Sequence, residues 1–263
     1  MNNTNDALNN IFGMGFMDDM HDYPNQTSNI RYYHRLKARI INSFIQRNYG
    51  FDKTFLDAGA GRGPYCVIAS ALFKKVYCDE FDTAELAVAE TYIKGKNMKN
   101  VEFLHNDLTS TSYADNSIHT AVCSEVLEHI PERQKAANEL YRILKPGGKL
   151  LLSMPQKNSI FYRHVMKVQK DLLAQPEPTD TNDLLWHHMQ HVKFSSNDIE
   201  KIATNAGFTV ITRYGANVLP VGEKIFSKLY AIPFVFNIYV YAEFLLEKIF
   251  PRFASFYFIE LQK

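Results

Sequence analysis

The stretch Phe55 to Gly63, F-L-D-A-G-A-G-R-G, constrains this chain more than any other. An apolar run closes on a carboxylate, glycines follow at alternate positions, and Pro64 stands where the first turn of a helix tolerates proline. The pattern predicts a buried strand, a tight turn and a helix. Glycine lacks a Cβ, so such a turn can bend sharply and let a ligand reach the main chain. The following helix would aim its unpaired N–H groups at that ligand. Asp57 ends the strand, the place where open parallel sheets bind ligands. A nucleotide-like ligand is the first expectation. An acid just before the glycines would repel the diphosphate of a nicotinamide dinucleotide and suits a ligand carrying an amino group.

Downstream, strands alternate with helices. Val76 to Phe81 reads as a second strand with acids at its tip. Those acids lie about 20 residues past the glycine turn, the spacing of an acid that grips ribose hydroxyls. Val101 to Leu108 reads as a third strand, Ser117 to Glu125 as a fourth, Lys149 to Met154 as a fifth, Phe208 to Arg213 as a sixth and Ser255 to Leu261 as the last. Taken alone, Asn106-Asp107 is a turn signal closing a strand. Helices are expected over 30–48, 64–73, 83–94, 131–144 and from Ser195 or Ser196 to Asn205. Pro146-Gly147-Gly148 reads as a stop after the fourth of these. The helix over 30–48 has apolar spacing on one side and Arg31, Arg35, Lys37 and Arg39 on the other, a face expected to be solvated. The alternation predicts an α/β fold, a sheet with helices on both faces.

In this order and at these spacings, L-D-A-G-A-G-R-G (56–63), N-D-L (106–108), D-N-S-I-H (115–119), V-L-E-H-I (126–130) and R-I-L-K-P-G-G (142–148) carry a resemblance. The chain resembles the class I S-adenosylmethionine (SAM) dependent methyltransferases. It looks most like the branch typified by ubiquinone and menaquinone biosynthesis enzymes, methyltransferase type 11. The resemblance is strong over residues 50–155 and weak over 190–215. It implies a Rossmann-like seven-stranded, mostly parallel sheet whose last strand runs antiparallel between strands five and six. It implies SAM as cofactor. Asp57, Gly59, Ala60 and Gly61 would line its methionine part, and Glu80, or Asp79 beside it, would hold the ribose. Phe81 would pack on the adenine. Asn106, Asp107 and Leu108 would meet the adenine edge, with Asp107 accepting from the amino group. Cys123, Ser124 and Glu125 would sit near the methyl group.

Catalytic candidates are Glu125, His129 and His191. His129 either takes part directly, as a base for a hydroxyl acceptor, or orients its loop. His191 opens a His-Val-Lys-Phe-Ser segment that similar proteins place at the substrate mouth, with His187 and His188 close by. The spacing of His187 and His191 would suit a metal, but no glutamate stands between them in H-E-x-x-H fashion, so none is expected.

The 263 residues suit one domain over 30–263, with 1–29 as a flexible segment or lid and the insertions 155–194 and 216–252 as a substrate cap. A net charge of +1 offers no field for nucleic acid, and strand four ends Cys-Ser-Glu-Val rather than Asn-Pro-Pro-Tyr. Cys66, Cys78 and Cys123 read as reduced thiols of a cytoplasmic protein. Residues 219–250 are apolar and aromatic, flanked by Lys224, Lys228, Lys248 and Arg252. They would pack on the sheet, form a lid or homodimer surface, or anchor the chain to a membrane surface. The expected activity is methyl transfer to a small, partly apolar acceptor at oxygen. The rivals are an NAD-type oxidoreductase, a nucleic-acid or protein methyltransferase, and a non-catalytic scaffold binding a partner or membrane through 219–250.

Overall fold

Neighbouring residues along the strands feed two separate cores. Phe55, Val122, Leu151 and Phe258 pack on one face of the sheet, while Leu56, Cys123, Leu152 and Tyr257 pack on the other. This is the period-two alternation of a sheet covered on both sides. The structure, a computed structural model, describes residues 28–159, 162–163 and 194–263. The chain runs α1 (Ser28–Asn48), β1 (Gly50–Ala58), α2 (Pro64–Ser70), β2 (Phe73–Asp79), α3 (Thr83–Gly95), β3 (Val101–Leu104) and β4 (Ile118–Ser124). It continues through α4 (Arg133–Ile143), β5 (Leu144–Pro155), α5 (Ser196–Asn205), β6 (Thr209–Ala216), α6 (Glu223–Tyr230), α7 (Pro233–Ile249) and β7 (Phe256–Gln262).

The seven strands lie in the order β3-β2-β1-β4-β5-β7-β6. The first five in this row are parallel, and β7 is antiparallel to both β5 and β6. The strand order reverses about β1 and β4, so their carboxyl ends flank the crevice where such sheets bind ligands. Helices α1, α2, α3, α6 and α7 contribute to the first core, α4 and α5 to the second. The expected Rossmann-like fold is the fold observed.

Several edges moved. β2 starts at Phe73 and stops at Asp79, which shortens α2 and leaves Glu80 and Phe81 in the loop. β3 ends at Leu104 because the next residues turn their side chains to local backbone and to Asp79. Pro146-Gly147-Gly148 lies inside β5, spanned by a register shift between the Ile118–Leu144 and Thr120–Lys149 pairs. Asp82 caps α3 through the Ala84 and Glu85 N–H groups, and Ser195 with Asp198 forms a capping box on α5.

The largest departure is the basic side of α1. Arg35 and Lys37 are buried, and Arg39 pairs with Glu247 of α7. Lys37 meets Glu125 and Arg39 meets Glu247, both far away in sequence, so local spacing read as solvent what distant elements cover.

Candidate active site

The glycine turn after β1 is held by the neighbouring strand. The N–H groups of Gly59 and Ala60 both donate to the Asp79 carbonyl, at 2.8 and 2.9 Å. The Gly61 N–H donates to Glu80 Oε2 at 2.7 Å, and the Asp82 N–H donates to Glu80 Oε1 at 2.9 Å. The amides of Gly59, Ala60 and Gly61 are therefore committed to β2 and its tip. Gly59 has φ +73, and a Cβ there would lie 2.4 Å from Val126 Cγ2. Only glycine fits between this backbone and the loop after β4.

A cavity of about 560 Å³ opens at this edge, within the range of small-molecule sites. Gly59, Gly61, Glu80, Phe81, Asn106, Asp107, Leu108, Glu125 and His129 line it, so most of the expected site residues meet at one place. Val126, Ile130 and Pro131 add apolar wall that single-residue motifs did not reveal. Asp57, Ala60 and Cys123 are not on the wall. Asp57 is buried behind the turn with the Cys66 thiol 3.6 Å from its Oδ2. Its burial, only partly offset by that thiol and reinforced by Glu80, raises its pKa to about 7. Cys123 faces the second core, where burial pushes its thiol up. His191 lies outside the described residues.

The wall is acidic. Asp79, Glu80, Asp82, Asp107, Glu125 and Glu132 all line the cavity. Asp107 is held ionised chiefly by the Thr109 N–H, which donates to Oδ1 at 2.8 Å. Asp79 is more enclosed: Asn106 Nδ2 donates to its Oδ2 at 2.9 Å, and burial raises its pKa. Phe81 is 66% exposed, and the ring of His105, tilted beside it with centroids 5.6 Å apart, steadies it. His105 also bonds the Phe81 carbonyl, at 2.8 Å. The arrangement offers anionic acceptors for hydroxyl and amino donors, an aromatic ring for a planar base, and a field that favours a cation. A diphosphate would be repelled.

On the other side, the V-L-E-H-I stretch forms a 3-10 turn, Leu127–His129. Glu125, before it, has φ +60, a left-handed conformation that costs a non-glycine residue about 1–3 kcal/mol. Its N–H bonds the Ser153 carbonyl at 2.9 Å, and its Oε1 takes an ion pair from Lys37 Nζ at 2.7 Å. The strain thus holds a carboxylate on the cavity wall, paired with an ammonium from α1. His129 lines the cavity, and desolvation lowers its pKa against the pull of Glu125. Behind it Glu128 is buried, and its Oε2 has no hydrogen-bond partner among the described residues. Burial, then Glu125, raise the Glu128 pKa to about 8.

That shift has a sign. The folded state holds the Glu128 proton more tightly than the unfolded chain, so this carboxyl costs stability as pH climbs from about 4.5 toward about 8. Glu128→Gln keeps the shape and removes the titration. Its thermal midpoint relative to the native chain is expected to rise between pH 5 and pH 8, by about 2–4 kcal/mol of stability. Parallel melting curves at the two pH values would contradict this placement of the carboxyl.

Comparison with known proteins agrees with the geometry. Residues 56–152 match the family described as "Methyltransferase domain". A demethylmenaquinone methyltransferase of Geobacillus sp. (strain WCH70) is 23% identical over 219 residues, covering 77% of this chain and 92% of the relative. A ubiquinone biosynthesis O-methyltransferase of Acinetobacter baumannii (strain AYE) is 23% identical over 204 residues, covering 76% and 82%. Among solved structures, geranyl diphosphate C-methyltransferase from Streptomyces coelicolor A3(2), in complex with Mg2+, geranyl diphosphate and S-adenosyl-L-homocysteine, superposes with a TM-score of 0.58 at 16% identity. It covers 89% of this chain and 83% of that one. The acid wall disfavours the cofactor of the rival nicotinamide enzyme. Over residues 56–152 the chain carries the methyltransferase domain of the class I SAM-dependent enzymes, with SAM as methyl donor.

Proposed function

We propose that this enzyme methylates a hydroxyl oxygen on a small, partly apolar acceptor, with His129 as the base and Glu125 beside it on the cavity wall. The observation that carries the reading is the meeting of His129 and the acid wall in one cavity. In this reading Glu80 holds the ribose, Asp107 and Leu108 meet the adenine edge, and Phe81 covers its face. Asp57, Ala60 and Cys123 support the turn and strand from behind. SAM, when bound, supplies a methyl group made electrophilic by the sulfonium. The chain's work is to orient the acceptor, exclude water and take a proton. Orientation of this kind contributes about 7–11 kcal/mol of a barrier. Ile130, Pro131 and Val126 give the acceptor an apolar wall. One relative is named as a ubiquinone biosynthesis O-methyltransferase, which supports a phenolic hydroxyl as the acceptor. The apolar surface of α6 and α7 belongs to the same reading as a contact for a second copy or a membrane.

The lowered pKa of His129 makes the neutral imidazole available below the ordinary value of 6.5. With a phenolic acceptor, kcat/KM is expected to rise with pH through a midpoint below 6.5 and then level off. His129→Ala should lower kcat by about 10²–10⁴ and erase that limb. Release of S-adenosylhomocysteine, with mass analysis of the product, reads both effects across an acceptor panel. Unchanged turnover in the variant would leave His129 an orienting role only. Carbon-methylated product would refute the choice of oxygen.

A further inference from the structure

Helix α7 distributes its side chains in an unexpected sense. Glu243 and Glu247 are buried. Glu243 takes the Val218 and Leu219 N–H groups at 2.6 and 2.9 Å, and Glu247 pairs with Arg39. The opposite face exposes Phe234, Ile238, Tyr241, Leu245 and Ile249, spaced four, three, four and four residues apart along one side of the helix. Phe234 is 74% and Tyr241 80% exposed. Ile225 of α6 and Ile232 at the bend extend the apolar surface, as do Phe250 and Phe253 beyond α7.

Charge is sorted in the same way. Lys224, Lys228, Lys248 and Arg252 are all exposed around this surface. Among the described side chains of α6 and α7 no acid is exposed. A shallow groove of about 480 Å³ borders the patch, with Arg213, Lys248, Ile249, Phe250, Arg252 and Phe253 among its lining residues. Glu200 binds Arg213 and Arg252 there, which leaves the cations in excess. Among the described residues no single helix is long and apolar enough to cross a membrane; α6 and α7 reach that length and apolarity only together, across a bend of 115°. An apolar face rimmed by cations, on helices too short to span, fits the boundary between headgroups and acyl chains.

We propose that the α6–α7 face docks on an anionic phospholipid surface, with the apolar row inserted at the acyl boundary and the lysine and arginine rim on the headgroup phosphates. A second copy fits less well. In a two-fold dimer this patch would meet itself, and one cationic rim would face the other. The inference deepens the contact-surface reading above and uses none of the cofactor chemistry. Methyl transfer to a dissolved acceptor without vesicle binding would defeat the membrane contact alone.

The test is co-sedimentation of the full chain with vesicles of phosphatidylcholine, and of phosphatidylcholine mixed with phosphatidylglycerol. Binding to the mixed vesicles should be stronger by roughly tenfold or more and should fall as salt rises. Phe234→Ser/Tyr241→Ser/Leu245→Ser should lose binding to both. Lys248→Glu/Arg252→Glu should lose only the preference for the anionic vesicles. These residues lie outside the cofactor cavity, so retained SAM binding by calorimetry shows that each variant folds. Equal binding to both vesicle types, no binding at all, or native binding by the triple-serine variant would overturn the proposal. So would a dimer in sedimentation velocity that this variant dissolves while vesicles capture nothing.

Discussion

Gly59→Arg is expected to abolish measurable SAM binding while leaving the helical circular dichroism nearly unchanged. Two costs coincide at this position. The backbone has φ +73, where a side chain strains the chain by about 1–3 kcal/mol. Its first carbon would also meet both γ-methyls of Val126, at 2.4 and 2.8 Å. Val126 lines the cavity, so any relief pushes it into the space a ligand needs. The rest of an arginine side chain has only the cavity in which to go. Titration calorimetry reads the affinity. Native affinity in this variant would mean that the ligand does not approach the turn.

Glu80→Ala is expected to weaken SAM binding by about 1–3 kcal/mol, the worth of hydrogen bonds to a charged acceptor. The carboxylate does two things at once. Each oxygen already accepts one backbone N–H, from Gly61 and from Asp82. A carboxylate has about four lone-pair sites, so acceptor capacity remains for ribose hydroxyls. Removing it strips the ligand contact and loosens the glycine turn together. Asp79→Asn is the comparison. Asp79 is enclosed by Asn106 and by burial, so that change should act mainly on stability. A loss of affinity in Asp79→Asn with none in Glu80→Ala would move the ribose contact by one residue.

The parts legible in the sequence were those set by local backbone demands. The glycine turn, the acid at the end of β2 and the helix caps each announce a conformation that few other residues permit. What sequence did not show depends on distant partners. Lys37 looked like solvated surface because Glu125, 88 residues on, cannot be paired with it by spacing. The same holds for Arg39 and Glu247. The alternation through Leu108 overruns β3 because Asn106 and Asp107 spend their side chains on Asp79 and Thr109, which ends the strand. Asp57 and Cys123 were expected at the cavity because they sit at strand tips, but alternate residues of a strand face opposite ways, and both are buried in the fold. In sequence Glu128 is only part of a motif; its burial comes from the 3-10 turn, which packs it inward.

Crystals grown with S-adenosylhomocysteine bear on all of these assignments at once. The expected density fills the cavity at the carboxyl ends of β1, β2 and β4, with ribose hydroxyls on Glu80, the adenine between Phe81 and Leu108, and the sulfur directed toward His129 and Glu125. A ligand bound elsewhere, or a cavity closed by the side chains that now line it, would contradict the account.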